Sequence, residues 1–110
     1  MNDRILSLMG LCRRAGKIAM GNDVVIESVL SKKSRLVICA CDLSQRTARG
    51  ILMAAHENNV KVLTINRTKE QMGDALGKYC AVCSIEDNGF AKKLCELITA
   101  EQRQEESAND

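Results

Sequence analysis

Proline and tryptophan are both absent from the 110 residues, and the only aromatic side chains are Tyr79 and Phe90. A core without large rings must be filled by Leu, Ile, Val, Ala, Met and Cys, side chains that suit helices laid on a sheet. No apolar run approaches the roughly 20 residues that a membrane-crossing helix needs, and the N-terminus lacks the apolar stretch of a signal peptide. No membrane partner is therefore expected, and a cytoplasmic location is. In that setting the six cysteines, Cys12, Cys39, Cys41, Cys80, Cys83 and Cys95, are expected as reduced thiols rather than a disulfide framework.

Catalytic constellations are missing as well. GDALGK, residues 73–78, looks at first like the end of a phosphate-binding loop. It has three residues between its glycines instead of four, Tyr79 where a magnesium-binding hydroxyl belongs, and a place within and after a helix. No dinucleotide fingerprint occurs. His56 is the single histidine, and no serine or cysteine is arranged with it as a triad. Cys39 and Cys41, and Cys80 and Cys83, fall in apolar strands whose alternation sends Cys80 and Cys83 to opposite faces, so they read as small buried hydrophobes before zinc ligands. No catalytic residue, cofactor or metal is expected, and the protein reads as a non-enzyme.

What the chain does contain is an uneven charge. Residues 1–50 carry nine Lys and Arg against four Asp and Glu, whereas residues 51–110 carry seven against ten. A basic N-terminal half points to a polyanionic partner. Helix and strand signals alternate throughout. Asp3 starts a helix with Ile5, Leu8, Met9 and Cys12 at helical spacing, and Gly16 permits the left-handed residue that ends it. Residues 18–20 form a brief strand, and Gly21, Asn22 and Asp23 supply a turn and an N-cap. A second helix over about residues 22–31 buries Val25, Ile26, Val29 and Leu30, with Asp23, Glu27 and Ser31 outside and Val24 and Ser28 alongside.

LVICAC, residues 36–41, is apolar at every position and needs cover on both faces. Ser44 then caps a helix with a buried stripe of Ala48, Ile51, Leu52 and Ala55. KVLTI is a strand, RTKEQMGDALGK a short helix stopped by Gly77, CAVCSI a last strand and NGFAKKLCELITAEQ a closing helix. The fold class is α/β, a three-layer α/β/α sandwich with a mixed sheet of about four strands. One domain spans residues 1–100, and residues 101–110 read as an acidic disordered tail.

LCRRAGKIAMGNDVV, residues 11–25, is where the positive charge becomes specific. Arg13, Arg14 and Lys17 precede a helix start whose unpaired N–H groups and positive dipole end attract phosphates or electronegative base edges. Arg46 and Arg49, from the next strand-to-helix turn, arrive at the same sheet edge. A protein-interaction module using Val24 and the basic face, and a thiol-dependent metal or redox role, remain as other readings.

LMGLCRRAGKIAMGNDVV, LVICACDLSQRT, MGDALGK and DNGFAKKL, in this order and spacing, resemble bacterial members of the L-seven-Ae ribosomal protein family. The likeness runs to about Ile98. It implies an α/β/α sandwich that binds kink-turn RNA, a sharply bent internal loop with tandem sheared G·A pairs, or ribosomal RNA. In that family the second helix enters the widened groove N-terminus first, and a loop before the last strand covers a flipped-out nucleotide. Carried over, Arg14, Lys17 and Arg46 would hold phosphates, Gly21, Asn22 and Asp23 would meet base edges, and Lys78 and Tyr79 would form the covering loop. Where the family has Gly-x-Asn-Glu-x-x-Lys, this chain has Gly21-Asn22-Asp23-Val24-Val25-Ile26-Glu27, so Glu27 reverses a charge within the footprint. The implied partners are structured RNA and the ribosome or translation factors, bound by a monomer.

Overall fold

A computed structural model describes residues 3–108. Five helices and four strands alternate as α1 (Arg4–Arg14), β1 (Ile18–Met20), α2 (Asn22–Leu30), β2 (Leu36–Cys39), α3 (Gln45–Glu57), β3 (Val62–Thr64), α4 (Lys69–Leu76), β4 (Val82–Ile85) and α5 (Asn88–Ala108). The strands lie in the order β1-β4-β2-β3, with β4 antiparallel to β1 and β2, and β3 parallel to β2. The mixed four-stranded sheet and its two helical layers are the expected α/β/α sandwich.

Strand alternation divides the core in two. Leu36, Ile38 and Ala40 face a cluster with Ile5, Met9 and Cys12 of α1, Met72 and Leu76 of α4, and Leu94 and Ile98 of α5. Val37 and Cys39 turn the other way, to Val25 and Val29 of α2 and Ile51 of α3. Every β2 side chain is buried, which is why its sequence is apolar without alternation.

Several expectations need correction. Leu52 is 52% exposed and Leu30 57%. Because α3 meets the sheet along Ile51 and Ala55, the next residue is turned by about 100° and leaves the core stripe. Leu30 is the last residue of α2, and Ser28 takes the inward position instead. Ser28 is buried because its hydroxyl is satisfied there. It donates to Glu86 Oε2 at 2.6 Å and lies 2.8 Å from Ser84 Oγ, which donates to Ser34 Oγ at 2.6 Å. Cys80 precedes β4, so strand alternation does not apply to it, and Cys80 and Cys83 enter the same core cluster.

The closing helix also runs on to Ala108, through the segment read as a disordered tail, while residues 109–110 lie outside the described residues. Arg67 anchors the start of that segment. Its Nε donates to Asp3 Oδ2 at 2.6 Å, while Nη1 and Nη2 donate to Glu101 at 2.8 and 2.7 Å. Asp3 in turn accepts from the Leu6 N–H and caps α1. Gln102 adds a bond from Nε2 to the Thr64 carbonyl. Burial pushes the Asp3 carboxyl up, but the hydrogen bonds from Arg67 and Leu6 outweigh it, and its pKa falls below the ordinary aspartate value. Removing the guanidinium leaves two carboxylates facing each other. Arg67→Met is expected to lower stability by about 1–2 kcal/mol, after discounting for solvent, and to raise amide exchange beyond Ile98. Urea unfolding and hydrogen exchange read both effects.

Candidate nucleic-acid interface

Strands β1, β2 and β3 are each followed by a helix, so α2, α3 and α4 all begin at one edge of the sheet. Two of these starts are closed by side chains. Ser44 Oγ accepts from the Thr47 N–H of α3, and Thr68 and Gln71 form a reciprocal capping box on α4. Asp3 and Asp87 likewise accept from first-turn N–H groups of α1 and α5. The start of α2 is different. Its N-cap is Gly21, with no side-chain cap, and Asn22 and Asp23 are its first helical residues rather than the capping turn read from the sequence. Among the described residues, nothing accepts from the N–H groups of Asn22, Asp23 and Val24.

Gly21 adopts φ 102° and ψ 154°, a region open essentially to glycine alone. A Cβ there would meet nothing within 4 Å, so the requirement is conformational, not steric. The Gly21 N–H donates to the Val82 carbonyl at 3.0 Å, which ties the helix start to the first residue of β4.

Two concavities flank this start. A cavity of about 230 Å³ is lined by Gly21, Asn22, Ser44, Thr47, Lys69 and Tyr79. A groove of about 400 Å³ follows β1 and α2, with Val24, Glu27, Ser28, Lys33, Lys78 and Glu86 along it. Tyr79 is 69% exposed although it is the larger of the chain's two aromatic types, and with Lys78 it also borders a third depression beside α4. An exposed phenol ring beside unpaired N–H groups and lysines offers stacking, hydrogen-bond donation and positive charge within one surface.

The residues singled out from the sequence are therefore only partly gathered. Gly21, Asn22 and Tyr79 share the cavity, Glu27 and Lys78 share the groove, and Asp23 is exposed on the first turn of α2 and lines neither. Lys17 lies at the opposite end of β1, where Ile18 pairs with Ile85, about 13 Å from Gly21 along extended chain. Arg14, exposed at the end of α1, and Arg46, exposed on the first turn of α3, line neither concavity. Lys33 and Lys69 do line them and have no local sequence signal. Lys69 was reachable only through topology, since the turn after β3 must land at the same edge as that after β1.

Four of the thiols, Cys12, Cys39, Cys80 and Cys83, are buried in the core. Burial pushes Cys39 up to about 11, and burial together with Asp87 and Glu86 does the same to Cys12. Cys83 is raised by its hydrogen bond with Cys80 and by full burial. Cys41 is the exposed thiol. Among the described residues, no three His, Cys, Asp or Glu side chains converge as a metal site.

The fold and its site define a small α/β/α sandwich with an uncapped helix start and an exposed aromatic side chain at one edge of the sheet. The model of the ribosomal protein L7Ae/L30e/S12e/Gadd45 family matches residues 3–95, and the chain belongs to that family. It is similar to the RNA-binding protein YlxQ of Enterococcus faecium, 32% identical over 95 residues that cover 86% of this chain and 91% of that protein. The RNA-binding protein YlxQ of Bacillus subtilis (strain 168) is 30% identical over 92 residues, covering 83% and 91%. A solved structure from Bacillus halodurans, of a protein with unknown function, superposes with a TM-score of 0.84 at 29% identity, over 89% of this chain and 99% of that one.

Two outcomes follow from this geometry. Gly21→Ala is expected to cost about 1–3 kcal/mol in thermal or urea unfolding, because any Cβ strains the backbone that joins α2 to Val82. Cys12 and Cys39 hold their protons to about pH 11 when folded, whereas unfolded thiols ionise earlier. Their contribution to stability is complete below the unfolded thiol pKa and is lost as pH rises through the folded value. Unfolding midpoints should accordingly fall over that alkaline window, and less so in Cys12→Ala.

Proposed function

We propose that this protein is a non-enzymatic, cytoplasmic RNA-binding protein of the translation machinery that recognises kink-turn-like structured RNA as a monomer. The observation that carries the reading is the uncapped start of α2 beside exposed Tyr79 and Lys78. Gly21, Asn22 and Asp23 present the helix start to base edges, the Asp23 carboxylate accepting from guanine N1 or N2 and the free N–H groups donating to phosphate or carbonyl oxygens. Tyr79 stacks on an extruded base, and Lys78 and Lys69 neutralise the phosphates next to it. Arg14, Lys17 and Arg46 stand further out and act on the flanking backbone through charge. Family membership and the RNA-binding names of the relatives support the substrate class.

A titration against a kink-turn RNA, and against the same RNA with its tandem G·A pairs replaced by Watson–Crick pairs, tests the reading at two salt concentrations. The kink-turn should bind more tightly. Tyr79→Ala should cost about 1–3 kcal/mol of that affinity. Lys78→Ala should weaken both complexes and reduce the salt slope by about one, and Asp23→Ala should narrow the difference between them. Absence of binding to either RNA contradicts the proposal and moves the function to a protein partner docked on Val24, which is 49% exposed.

A further inference from the structure

The groove beside α2 has an arrangement of charge that simple phosphate attraction does not explain. Its walls are β1, an edge strand, and the helix face that carries Val24, Glu27 and Ser28. Lys78 lies in the loop entering β4, whose first residue is bonded to Gly21, and Lys33 lies three residues past the end of α2, so the two cations lie toward opposite ends. Between them, one turn below Asp23, is Glu27. The groove's other carboxylate, Glu86, is half-buried and engaged by the Ser28 hydroxyl at 2.6 Å. Glu27 is exposed, and among the described residues it takes part in no ion pair or side-chain hydrogen bond.

A continuous phosphate backbone laid in this groove would be attracted at both ends and repelled in the middle. A free carboxylate is an acceptor only. It suits the exocyclic amino group of cytosine, adenine or guanine, and it rejects phosphate and carbonyl oxygens. In regular A-form duplex the adenine and cytosine amino groups lie in a deep, narrow groove that side chains cannot enter, whereas an unpaired or sheared nucleotide exposes them.

We propose that Glu27 is a specificity-determining residue of the groove. It excludes phosphate from the centre and accepts a hydrogen bond from the amino group of an unpaired or non-Watson–Crick base, while Lys33 and Lys78 hold the phosphates on either side. Discrimination then comes from a repulsive element set between attractive ones. This rests on the RNA-binding reading above, and it adds the chemical class of the RNA segment that occupies the groove.

Glu27→Gln and Glu27→Lys test it, with the full chain titrated against the kink-turn RNA and its Watson–Crick counterpart. Glutamine keeps an acceptor oxygen and removes the charge. It should bind the Watson–Crick RNA about fivefold more tightly and the kink-turn RNA within about twofold of the wild type, so that selectivity falls. Lysine should tighten the Watson–Crick RNA by more than about tenfold and steepen the salt slope by about one. Equal tightening on both RNAs, or no change on either, overturns the proposal, because Glu27 would then be a plain repeller or lie outside the footprint. A wild-type protein without preference for the kink-turn defeats the kink-turn reading and this inference together. A wild type that prefers it, with the ratio unaltered in both variants, defeats the inference alone. Because Glu27 is exposed, both variants should melt with the wild type, which a circular dichroism scan checks.

Discussion

The bond from the Gly21 N–H to the Val82 carbonyl holds the functional end of the molecule together. It is made possible by a backbone conformation that only glycine adopts without strain, and it joins the end of β1, the first turn of α2 and the entry to β4 at one point. Around that point the chain gathers a helix start, the loop with Lys78 and Tyr79, and the two concavities. Because Gly21 supplies no side chain, it leaves the first N–H groups of α2 open. The same residue therefore fixes the geometry of the site and creates its hydrogen-bonding capacity.

The remainder of the fold keeps this edge in place. Two apolar clusters clamp the sheet between helical layers, and a buried line of serines joins α2, β4 and the turn before β2. Arg67, in the turn between β3 and α4, ties the first helix to the last. The bonded serines and the Arg67 cluster are thus buried or half-buried, while Asp23, Glu27, Lys78 and Tyr79 stay exposed. A surface that is preorganised in its backbone and unengaged in its side chains suits recognition by shape together with a few base edges.

Much of the fold was legible because local signals agree with one another. Asp3 and Ser44 cap their helices as read, Gly16 and Gly77 take left-handed conformations, and β2 is buried on both faces. Where the reading departs from the structure, a long-range partner decides. Ser28 is buried by Ser84 and Glu86, 56 and 58 residues away, and α5 is held at Glu101 by an arginine 34 residues earlier. At the site, Gly21, Asn22 and Tyr79 converge as the motif implied. Lys33 and Lys69 carried no such signal, since their place depends on where two chain crossings land. Arg14 and Lys17 were grouped with Gly21 by charge and nearness in sequence and Arg46 by the sheet edge it reaches, but the antiparallel run of β1 along β4 separates Lys17 from the helix start it precedes.

Amide chemical-shift mapping with a kink-turn RNA would locate the contact without assuming any residue's role. Binding through the bare helix start places the largest shifts at Gly21 to Val24 and at Lys78 to Ala81, with smaller ones beside Glu27 and Lys33. Shifts concentrated on α5 around Lys92 and Lys93, with residues 21–24 unmoved, would mean that RNA is held by another face and that the uncapped start of α2 is not its site.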